Sequence, residues 1–422
     1  MNRSPLLVIF VTVFIDLIGF GIVIPVLPYY VEGTRFNASA RMVGLLFASY
    51  SVMQLLFTPI LGRLSDRYGR RPVLFFSLLG TSLGFLIMGF ATTLWMLFAG
   101  RIIDGITGGN ISTAQAYIAD VTTKEERAKG MGLIGAAFGL GFTFGPAIGG
   151  VLSRWGISVP FTFAGVLALA NAVLLYFTLP ETVTPDHPAR ESAAAGRWTQ
   201  LLAALRQPRL AFVLVIYFLF IVAFSIMTAS FALFTMYRFG YDAAHNGYIF
   251  MYVGLIGALI QGGLIGRLAK RYGELPLVIL GAFCFALSLV AIPLTHPGLG
   301  LAALLVVGAL FGLGNSLATP SLQTLASKSA GAGEQGGVLG VVQSVASLAR
   351  ATGPTISAWL IYSAVVTQGR DSQLHHLSDA SLERTFWAAA AIMFAAFLLA
   401  AYFARAHAAE YQPGETAEAT GA

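Results

Sequence analysis

The segment GRLSDRYGR at residues 62–70 recurs 204 positions later as GRLAKRYGE at residues 266–274, with six of the nine positions identical. Each copy forms a short basic loop between two long apolar stretches. A membrane chain whose halves carry the same loop is predicted to contain two copies of one helical unit. Folds of this kind place a substrate site between the copies and move one half against the other. The repeat therefore predicts fold, membrane location and transport together.

The composition is that of a membrane protein. Of the 422 residues, 57% are hydrophobic and only 10% are charged, whereas soluble domains carry about 25% charged residues. The net charge of +6 does not indicate a nucleic-acid partner, because the basic residues lie in loops between apolar spans. The single cysteine, Cys284, excludes an intrachain disulfide and a two-cysteine metal site. The six histidines lie in loops or near span ends, so no metal site is predicted.

The apolar stretches predict an all-α membrane protein with twelve transmembrane helices in two six-helix pseudo-symmetric bundles. A helix needs about 20 apolar residues to cross a bilayer. Residues 275–327 carry no charge and must form two helices, with the turn at His296-Pro297-Gly298. The twelve spans are residues 6–31, 42–61, 73–91, 94–119, 130–152, 158–179, 210–237, 244–266, 275–294, 298–322, 335–364 and 385–404.

Basic residues predict the orientation of these spans. Seventeen of the 25 lysines and arginines fall on the side that holds the N-terminus, the even-numbered loops and the C-terminus, and six fall on the other side. Because cytoplasmic loops carry the excess of basic residues, both termini are predicted to be cytoplasmic. The first span carries Asp16 and lacks a cleavage site of small residues, so it is interpreted as a retained helix rather than a signal peptide.

The domain organisation follows from the spans. Residues 1–180 are predicted to form an N-terminal six-helix bundle, and residues 210–405 a C-terminal one. The proline-containing polar segment 181–209 is the predicted cytoplasmic linker. Residues 406–422 are polar and are predicted to be a disordered cytoplasmic tail.

Four motifs resemble those of major facilitator superfamily transporters. They are residues 62–70 followed by Arg71-Pro72, the sequence RIIDG at 101–105, the sequence GFTFGPAIGG at 141–150, and PET at 180–182. The motif at 141–150 resembles the mark of the antiporter branch. The resemblance implies proton-driven export of small amphipathic compounds, such as drugs or antibiotics, across a bacterial inner membrane.

Within that superfamily, the first half resembles the tetracycline–proton antiporters. Asp16 is followed by GFG at 19–21 and PVLP at 25–28, and span 4 ends in AYIAD at 116–120. One departure stands out. Those antiporters carry acidic residues in spans 3 and 9, whereas both spans lack them here and Phe285 occupies the expected region. This departure argues against tetracycline itself as the substrate but leaves the antiporter interpretation intact.

The ionisable residues deep in the spans are the candidates for proton coupling. Each costs several kcal/mol in hydrocarbon unless it faces a partner or a water-filled cavity. Arg101 and Asp104 are three positions apart on one helix and can pair. The pair could be purely structural, or the carboxylate of Asp104 could bind a proton or a cationic substrate. Asp16 is the stronger candidate for proton coupling, since no charge lies within four residues. Arg350 is its counterpart in the second half.

The resemblance also implies a latch on the cytoplasmic side. Asp66 would contact a helix of the other half, and Arg70 would pair with Asp120 at the end of span 4. In the second copy of the repeat, Lys270 and Glu274 replace Asp66 and Arg70, so the signs are swapped. The alternative is that the charges of this loop only set topology, but acidic residues add little to that rule.

Small residues recur every four positions on span 5, where Pro146 also removes a backbone hydrogen bond. The stripe Gly141, Gly145 and Gly149 predicts close approach of helix backbones, either as passive packing or as a sliding seam of spans 5 and 11. Polar residues within spans usually face the interior. The predicted substrate wall therefore comprises Gln54, Asn110, Gln115, Gln261, Asn315, Gln323 and Arg350, with the aromatic residues Phe138 and Phe142.

These patterns predict a monomeric secondary transporter that exchanges a small amphipathic substrate for protons and needs no cofactor. The sequence has no phosphate-binding loop of the Gly-x-x-x-x-Gly-Lys-Ser/Thr type, so ATP is not the energy source. Two alternatives stay open. One is a facilitator or symporter for a metabolite. The other, a membrane-embedded enzyme or scaffold, would need a nucleophile–base pair or a metal cluster within the spans, and neither pattern is present.

Overall fold

The computed structural model describes residues 5–33, 35–123, 127–182, 206–329, 335–365 and 379–406. Its helices are numbered by the span that each forms, with parts a and b where a span is interrupted. They are α1 Pro5–Glu32, α2 Ala40–Tyr68, α3 Arg70–Gly89, α4a Leu94–Thr107, α4b Asn110–Val121, α5 Arg127–Leu152, α6 Val159–Thr178, α7 Pro208–Phe239, α8a Ala243–Leu259, α8b Ile265–Tyr272, α9 Glu274–Ala291, α10 Gly300–Lys328, α11 Gln335–Val365 and α12 Asp379–Ala406.

The helices account for all twelve predicted spans. Within the described ranges, ten helical stretches are long and apolar enough to cross a membrane. The other two spans are the interrupted pair α4a and α4b, and the 31-residue helix α11. The predicted all-α fold is confirmed. Residues 183–205 of the predicted linker and 407–422 of the predicted tail lie outside the described residues, so the domain boundaries stay predictions.

Two spans differ from the continuous helices that were predicted. Span 4 breaks at Gly108 and Gly109, because two consecutive glycines each weaken a helix by about 1 kcal/mol relative to alanine. Span 8 contains a π-helical turn at Ile260–Leu264, where Gly262 and Gly263 lie, and continues to Tyr272 instead of ending near residue 266. Such π-turns are frequent at functional sites.

The repeated loop owes its pattern to backbone geometry. Gly69 and Gly273 occupy the same position of the two copies and have φ of 106° and 79°, a region that only glycine enters at low cost. Each glycine ends one helix and starts the next within a single residue. At Gly69 a side chain is also excluded by space, since a Cβ would lie 2.5 Å from a carboxylate oxygen of Glu181.

The helix contacts of the first half recur in the second half between helices whose numbers are six higher. In the first half α1 packs on α5, α3 on α6, and α3 on α4a; in the second half α7 packs on α11, α9 on α12, and α9 on α10. The two halves meet through two extensive contacts that obey the same symmetry, α2 with α11 and α5 with α8a. The structure is therefore built from two equivalent helical units.

Among the described residues, close contacts between the halves extend from the middle of the helices toward one side, here called the Glu32 side after the end of α1. A Cβ on Gly247 of α8a would lie 2.7 Å from the carbonyl oxygen of Pro146 on α5, and one on Gly44 of α2 would lie 2.8 Å from the carbonyl oxygen of Pro354 on α11. Toward the opposite side, which holds the repeated loops and is called the basic-loop side, a Cβ on Gly135, Gly266 or Gly340 would meet no described atom within 4 Å.

Hydrogen bonds reinforce the closed Glu32 side. The hydroxyl of Tyr29 on α1 donates to the carbonyl oxygen of Tyr241 in the second half at 2.8 Å, and its oxygen accepts from Asn246 on α8a. The hydroxyl of Tyr237 on α7 donates to the carboxylate of Glu32 at 2.5 Å. The structure is thus a transporter-like arrangement with a cleft that opens toward the basic loops.

We expect Gly247→Ala to disfavour this conformation. The added methyl group would press on Pro146 and Gly150 of the other half, and overpacking costs about 1–3 kcal/mol. A cost of that size shifts the ratio of two conformations about 5- to 150-fold. Spin labels on Trp155→Cys and Leu294→Cys, in a chain with Cys284→Ala, report the separation of the halves on the Glu32 side.

The matched control is Gly340→Ala, which makes the same chemical change where a Cβ has open space. Gly247→Ala should add a population of longer label distances that Gly340→Ala lacks. Identical distance distributions in the two variants would show that the contact of α5 with α8a does not hold the Glu32 side closed.

Candidate functional site

A buried ion pair lies at the centre of the first half. Nη2 of Arg101 on α4a contacts Oδ2 of Asp104 at 2.8 Å, and the two residues are 1% and 4% exposed. The guanidinium also lies over the ring of Tyr50, at 5.0 Å from its centroid, and over that of Phe85, at 5.3 Å. The aromatic faces and the carboxylate together compensate the charge of Arg101 in the membrane interior.

The break in span 4 brings a second carboxylate to this region. Asn110 is the first residue of α4b, and its Nδ2 donates to Oδ1 of Asp16 on α1 at 2.9 Å. Asn110 is buried, while Asp16 is partly exposed. The buried Oδ1 of Asn110 has no partner among the described residues. An amide can donate to a carboxylate and, after rotating by 180°, accept from a protonated carboxyl group, so Asn110 suits both forms of Asp16.

Gln54 provides a hydrogen bond to a backbone carbonyl at the break in span 4. Its Nε2 donates to the carbonyl oxygen of Gly108 at 2.9 Å and to the hydroxyl of Tyr50 at 3.0 Å. A helix end in an apolar interior needs such partners, because water does not supply them. Gln54 therefore has a structural task in addition to any contact with substrate.

Aromatic rings run from this polar centre into the second half. Phe20 packs on Tyr50 and on Phe142, with centroids 5.8 and 5.7 Å away. Phe142 on α5 then contacts Phe224 on α7 at 6.4 Å, and Phe224 stacks on Phe311 at 6.0 Å. Phe142 thus lies where the two halves meet. Phe285 contacts Phe311 at 4.6 Å and belongs to this aromatic cluster, so the region that would carry an acid in tetracycline antiporters is apolar here.

Arg350 lies on the second-half side of the same region. Its Nη2 donates to the hydroxyl oxygen of Ser347 on its own helix at 3.3 Å. Its guanidinium lies in the neighbourhood of Tyr217 on α7 and Tyr50 on α2. The Tyr217 hydroxyl accepts a hydrogen bond from Gln323 of α10 at 3.3 Å. Three predicted wall residues, Gln54, Gln323 and Arg350, are therefore linked through two tyrosines that sequence reasoning did not single out.

The other predicted wall residues are not linked to Arg350 or to the two tyrosines by any of the contacts described above. Oε1 of Gln261, in the π-turn of α8, is 3.9 Å from where a Cβ on Gly139 of α5 would be, so it faces the first half. Asn315 accepts a hydrogen bond from Thr319 at 3.0 Å on its own helix. Phe138 stacks on Phe142 at 6.3 Å, and Gln115 is half-buried on α4b.

The glycine stripe on α5 is a tight seam, but its partner is α1 of the same half. A Cβ on Gly145 would lie 2.8 Å from Cα of Gly21, and Gly141 and Gly149 likewise face α1. The face that meets the second half is the adjacent one, where Pro146 and Gly150 contact Gly247. The structure also pairs α5 with α8a rather than with α11. The predicted pairing of spans 5 and 11 is wrong, because the two-fold symmetry matches span 5 with span 8.

The residues of the predicted latch come together within the first half. Arg70 is 4% exposed, and its side chain contacts Asp120 at 3.0 Å and Asp66 at 2.5 Å. The carboxylate of Glu181 accepts the backbone N–H groups of Arg70 and Arg71 at 2.9 and 3.0 Å and so caps the start of α3. The motif at 180–182 pointed to Glu181 without giving its role. Asp66 contacts its own half, on the side where the two halves are apart.

The second half carries the same arrangement with opposite signs. Glu274 at the start of α9 pairs with Lys328 at the end of α10 at 2.5 Å, as Arg70 at the start of α3 pairs with Asp120 at the end of α4b. The swap that the repeat showed in sequence is therefore compensated within each half.

A cleft between two equivalent six-helix units, with buried charges at its apex, defines the class of alternating-access membrane transporters. The sequence profile of the Major Facilitator Superfamily matches residues 9–354, and the chain belongs to that family.

Named relatives agree with this assignment. The chain is 34% identical to the class H tetracycline resistance protein of Pasteurella multocida, over 96% of both chains. It is 33% identical to multidrug resistance protein 1 of Bacillus subtilis, over 84% of this chain and 89% of that protein. The human organic anion transporter MFSD10 superposes with a TM-score of 0.70 at 25% identity, over 94% of this chain and 100% of that one. The protein is a multi-pass membrane transporter of small molecules.

We expect Gln54→Ala to destabilise the first half. The carbonyl oxygen of Gly108 would lose its side-chain partner, and an unsatisfied buried polar group costs about 1–3 kcal/mol. Thermal unfolding of the purified protein in detergent measures the effect, with Gln115→Ala on α4b as the control. An unfolding temperature of Gln54→Ala equal to that of Gln115→Ala would show that water satisfies the break.

Proposed function

We propose that this protein exports small amphipathic compounds from the cytoplasm in exchange for protons, by alternating access across a bacterial inner membrane. The observation that carries the proposal is the placement of Asp16, Arg101 and Asp104 beside the apex of a cleft that is closed on one side. Ionisable groups at this depth mark ion pathways and binding sites. The aromatic residues between the halves offer a surface for the apolar part of a substrate.

The distribution of basic residues supports a proposed orientation in the membrane. The loops between α2 and α3 and between α8b and α9 are rich in arginine and lysine, which favours the cytoplasmic face. The basic-loop side is then cytoplasmic, both termini lie there, and the cleft opens inward. The protein is proposed to act as a monomer, since each chain contains both halves.

The proton gradient suffices to drive export. One proton that enters is worth about 2.3 kcal/mol per 100 mV of membrane potential and about 1.4 kcal/mol per pH unit. Asp16 is the proposed proton carrier, because it is partly exposed and its contact is a neutral amide. Asp104 is held by Arg101 at 2.8 Å and is proposed to hold the site together.

The latch is proposed to act when the cleft closes. Asp66 and Arg70 lie on the side where the halves are separated, so a contact of Asp66 with the second half requires the outward-open state. Their removal should change the balance of states, because a group that meets its partner in one state biases only that state.

We expect Asp16→Asn to abolish uphill export driven by a pH gradient and to preserve downhill exchange of substrate. Asparagine keeps the size of the side chain but cannot carry a proton. Purified protein in liposomes, with the gradient imposed in either direction, provides the measurement. The control is Asp379→Asn, which makes the same change at the exposed start of α12.

The same experiment separates the alternatives. A facilitator equilibrates substrate regardless of the gradient, and a symporter accumulates substrate on the side that protons enter. Uphill antiport by Asp16→Asn at the normal rate would exclude Asp16 as the carrier.

We expect Asp66→Asn and Arg70→Ala to lower turnover with little loss of substrate affinity. Neither side chain lies near Asp16 or Phe142, so the defect should fall on the change of state. Transport rates and binding constants measured on the same preparations test this. A loss of affinity that accounts for the whole defect would place these residues in the substrate site instead.

A further inference from the structure

The two halves differ in how the buried arginine next to the cleft is compensated. In the first half, Arg101 is paired with Asp104 at 2.8 Å. In the second half, no carboxylate among the described residues pairs with Arg350. The hydrogen bond that its side chain donates to Ser347 is long, at 3.3 Å, and its acceptor is an uncharged hydroxyl. A guanidinium without a counter-ion at membrane depth is expensive, and such groups face a water-filled cavity and mark a site.

The packing of α11 fixes the direction in which Arg350 points. Gly353, three residues on, packs against α7, where a Cβ would lie 2.6 Å from Cβ of Ser225. The carbonyl of Pro354, four residues on, faces Gly44 of α2. Residues three and four apart share a helix face, so Arg350 points into the gap between α7 and α2. The two tyrosines near its guanidinium lie on these helices, Tyr217 on α7 and Tyr50 on α2.

This gap is the apex of the cleft. The contact of Gly44 with Pro354 belongs to the closed Glu32 side, and Arg350 lies one turn further toward the open side, about 6 Å along the helix. Tyr50 stands between Arg101 and Arg350, and its ring covers the guanidinium of Arg101. The guanidinium of Arg350 therefore faces the opening of the cleft, and no described carboxylate lies beside it.

We propose that Arg350 binds an anionic group of the substrate, a carboxylate, sulfonate or enolate on an aromatic body, and that the transported compounds include amphipathic organic anions. Tyr217, which Gln323 orients, and Tyr50 line this subsite and can donate their hydroxyl hydrogens to the same anion. The rings of Phe142 and Phe224, which reach Tyr50 through Phe20, lie where the halves meet and receive the apolar body. The inference rests on the proposed transport function and names its substrate class.

The charge of the substrate has an energetic consequence. An anion that leaves the cell moves with the membrane potential, which is negative inside. With one proton entering per anion exported, two charges cross per cycle, and both move down the membrane potential. A neutral substrate moves one charge per cycle, and a monocation moves none.

The test compares probes that differ only in charge. Binding of biphenyl-4-carboxylate and of its neutral isostere, biphenyl-4-carboxamide, is measured by equilibrium dialysis against the full chain in lipid nanodiscs, with empty nanodiscs subtracted. We expect the carboxylate to bind at least about tenfold tighter, as a charge-assisted hydrogen bond provides. Arg350→Gln should remove the preference, and Arg350→Lys should keep part of it. Arg384→Gln, the same change at an exposed position of α12, should leave it intact.

Three results would overturn the proposal: no carboxylate preference in the parent chain, a preference that survives in Arg350→Gln, or its loss in both Arg350→Gln and Arg384→Gln. Arg350→Lys keeps the test decisive if Arg350→Gln does not fold, since lysine retains the charge but loses the planar fork of donors. Its carboxylate preference must then lie below that of the parent.

A second measurement separates this proposal from proton coupling. In liposomes, a potassium diffusion potential without a pH gradient should drive uptake of the carboxylate toward the positive side in the parent chain and not in Arg350→Gln. If proton coupling is wrong, a pH gradient drives no transport in the parent chain, while the carboxylate preference in binding persists. If anion recognition is wrong, a pH gradient still drives uphill export of uncharged probes, and the preference is absent.

Discussion

A charge or a free backbone group inside a bilayer needs a partner, and this constraint shapes the centre of the molecule. Arg101 has Asp104 and two aromatic faces, and the carbonyl of Gly108 has Gln54. These partners come from three different helices, α2, α3 and α4a, so satisfying the groups also fixes how the helices of the first half sit together. The exceptions are then informative. Arg350 and the free oxygen of Asn110 are the described polar groups at the cleft that depend on something outside the resting structure.

The second organising feature is the two-fold repetition of contacts. The halves meet through α2 with α11 and α5 with α8a, and both pairs make close contacts toward the Glu32 side, at Gly44 and Gly247. Backbone atoms at Gly44 and Gly247 approach those of the other half so closely that no side chain fits. A contact of this kind is either fully formed or absent, because small displacements of the helices create clashes or voids. Two discrete conformations, rather than a continuous range, are the natural outcome.

Much of this architecture was predictable from the sequence, and the reason is the strength of the bilayer constraint. Span lengths and the repeated loop gave twelve helices in two units, and the turn at Pro297–Leu299 is where the sequence placed it. Long-range pairing was not readable in the same way. The glycine stripe on α5 predicted a close contact with another helix. The stripe does not identify that helix, and in the structure it is α1. Tyr50 and Tyr217 were missed because tyrosines in spans carry no distinctive spacing.

The two halves pair their loop charges internally with opposite signs, Arg70 with Asp120 and Glu274 with Lys328. Glu181, the first residue of the predicted linker, is bound to the start of α3. This contact holds the end of the first half against its own helices where the predicted linker begins. Each half consequently resembles a complete subunit, and the chain behaves like a heterodimer whose members happen to be covalently joined.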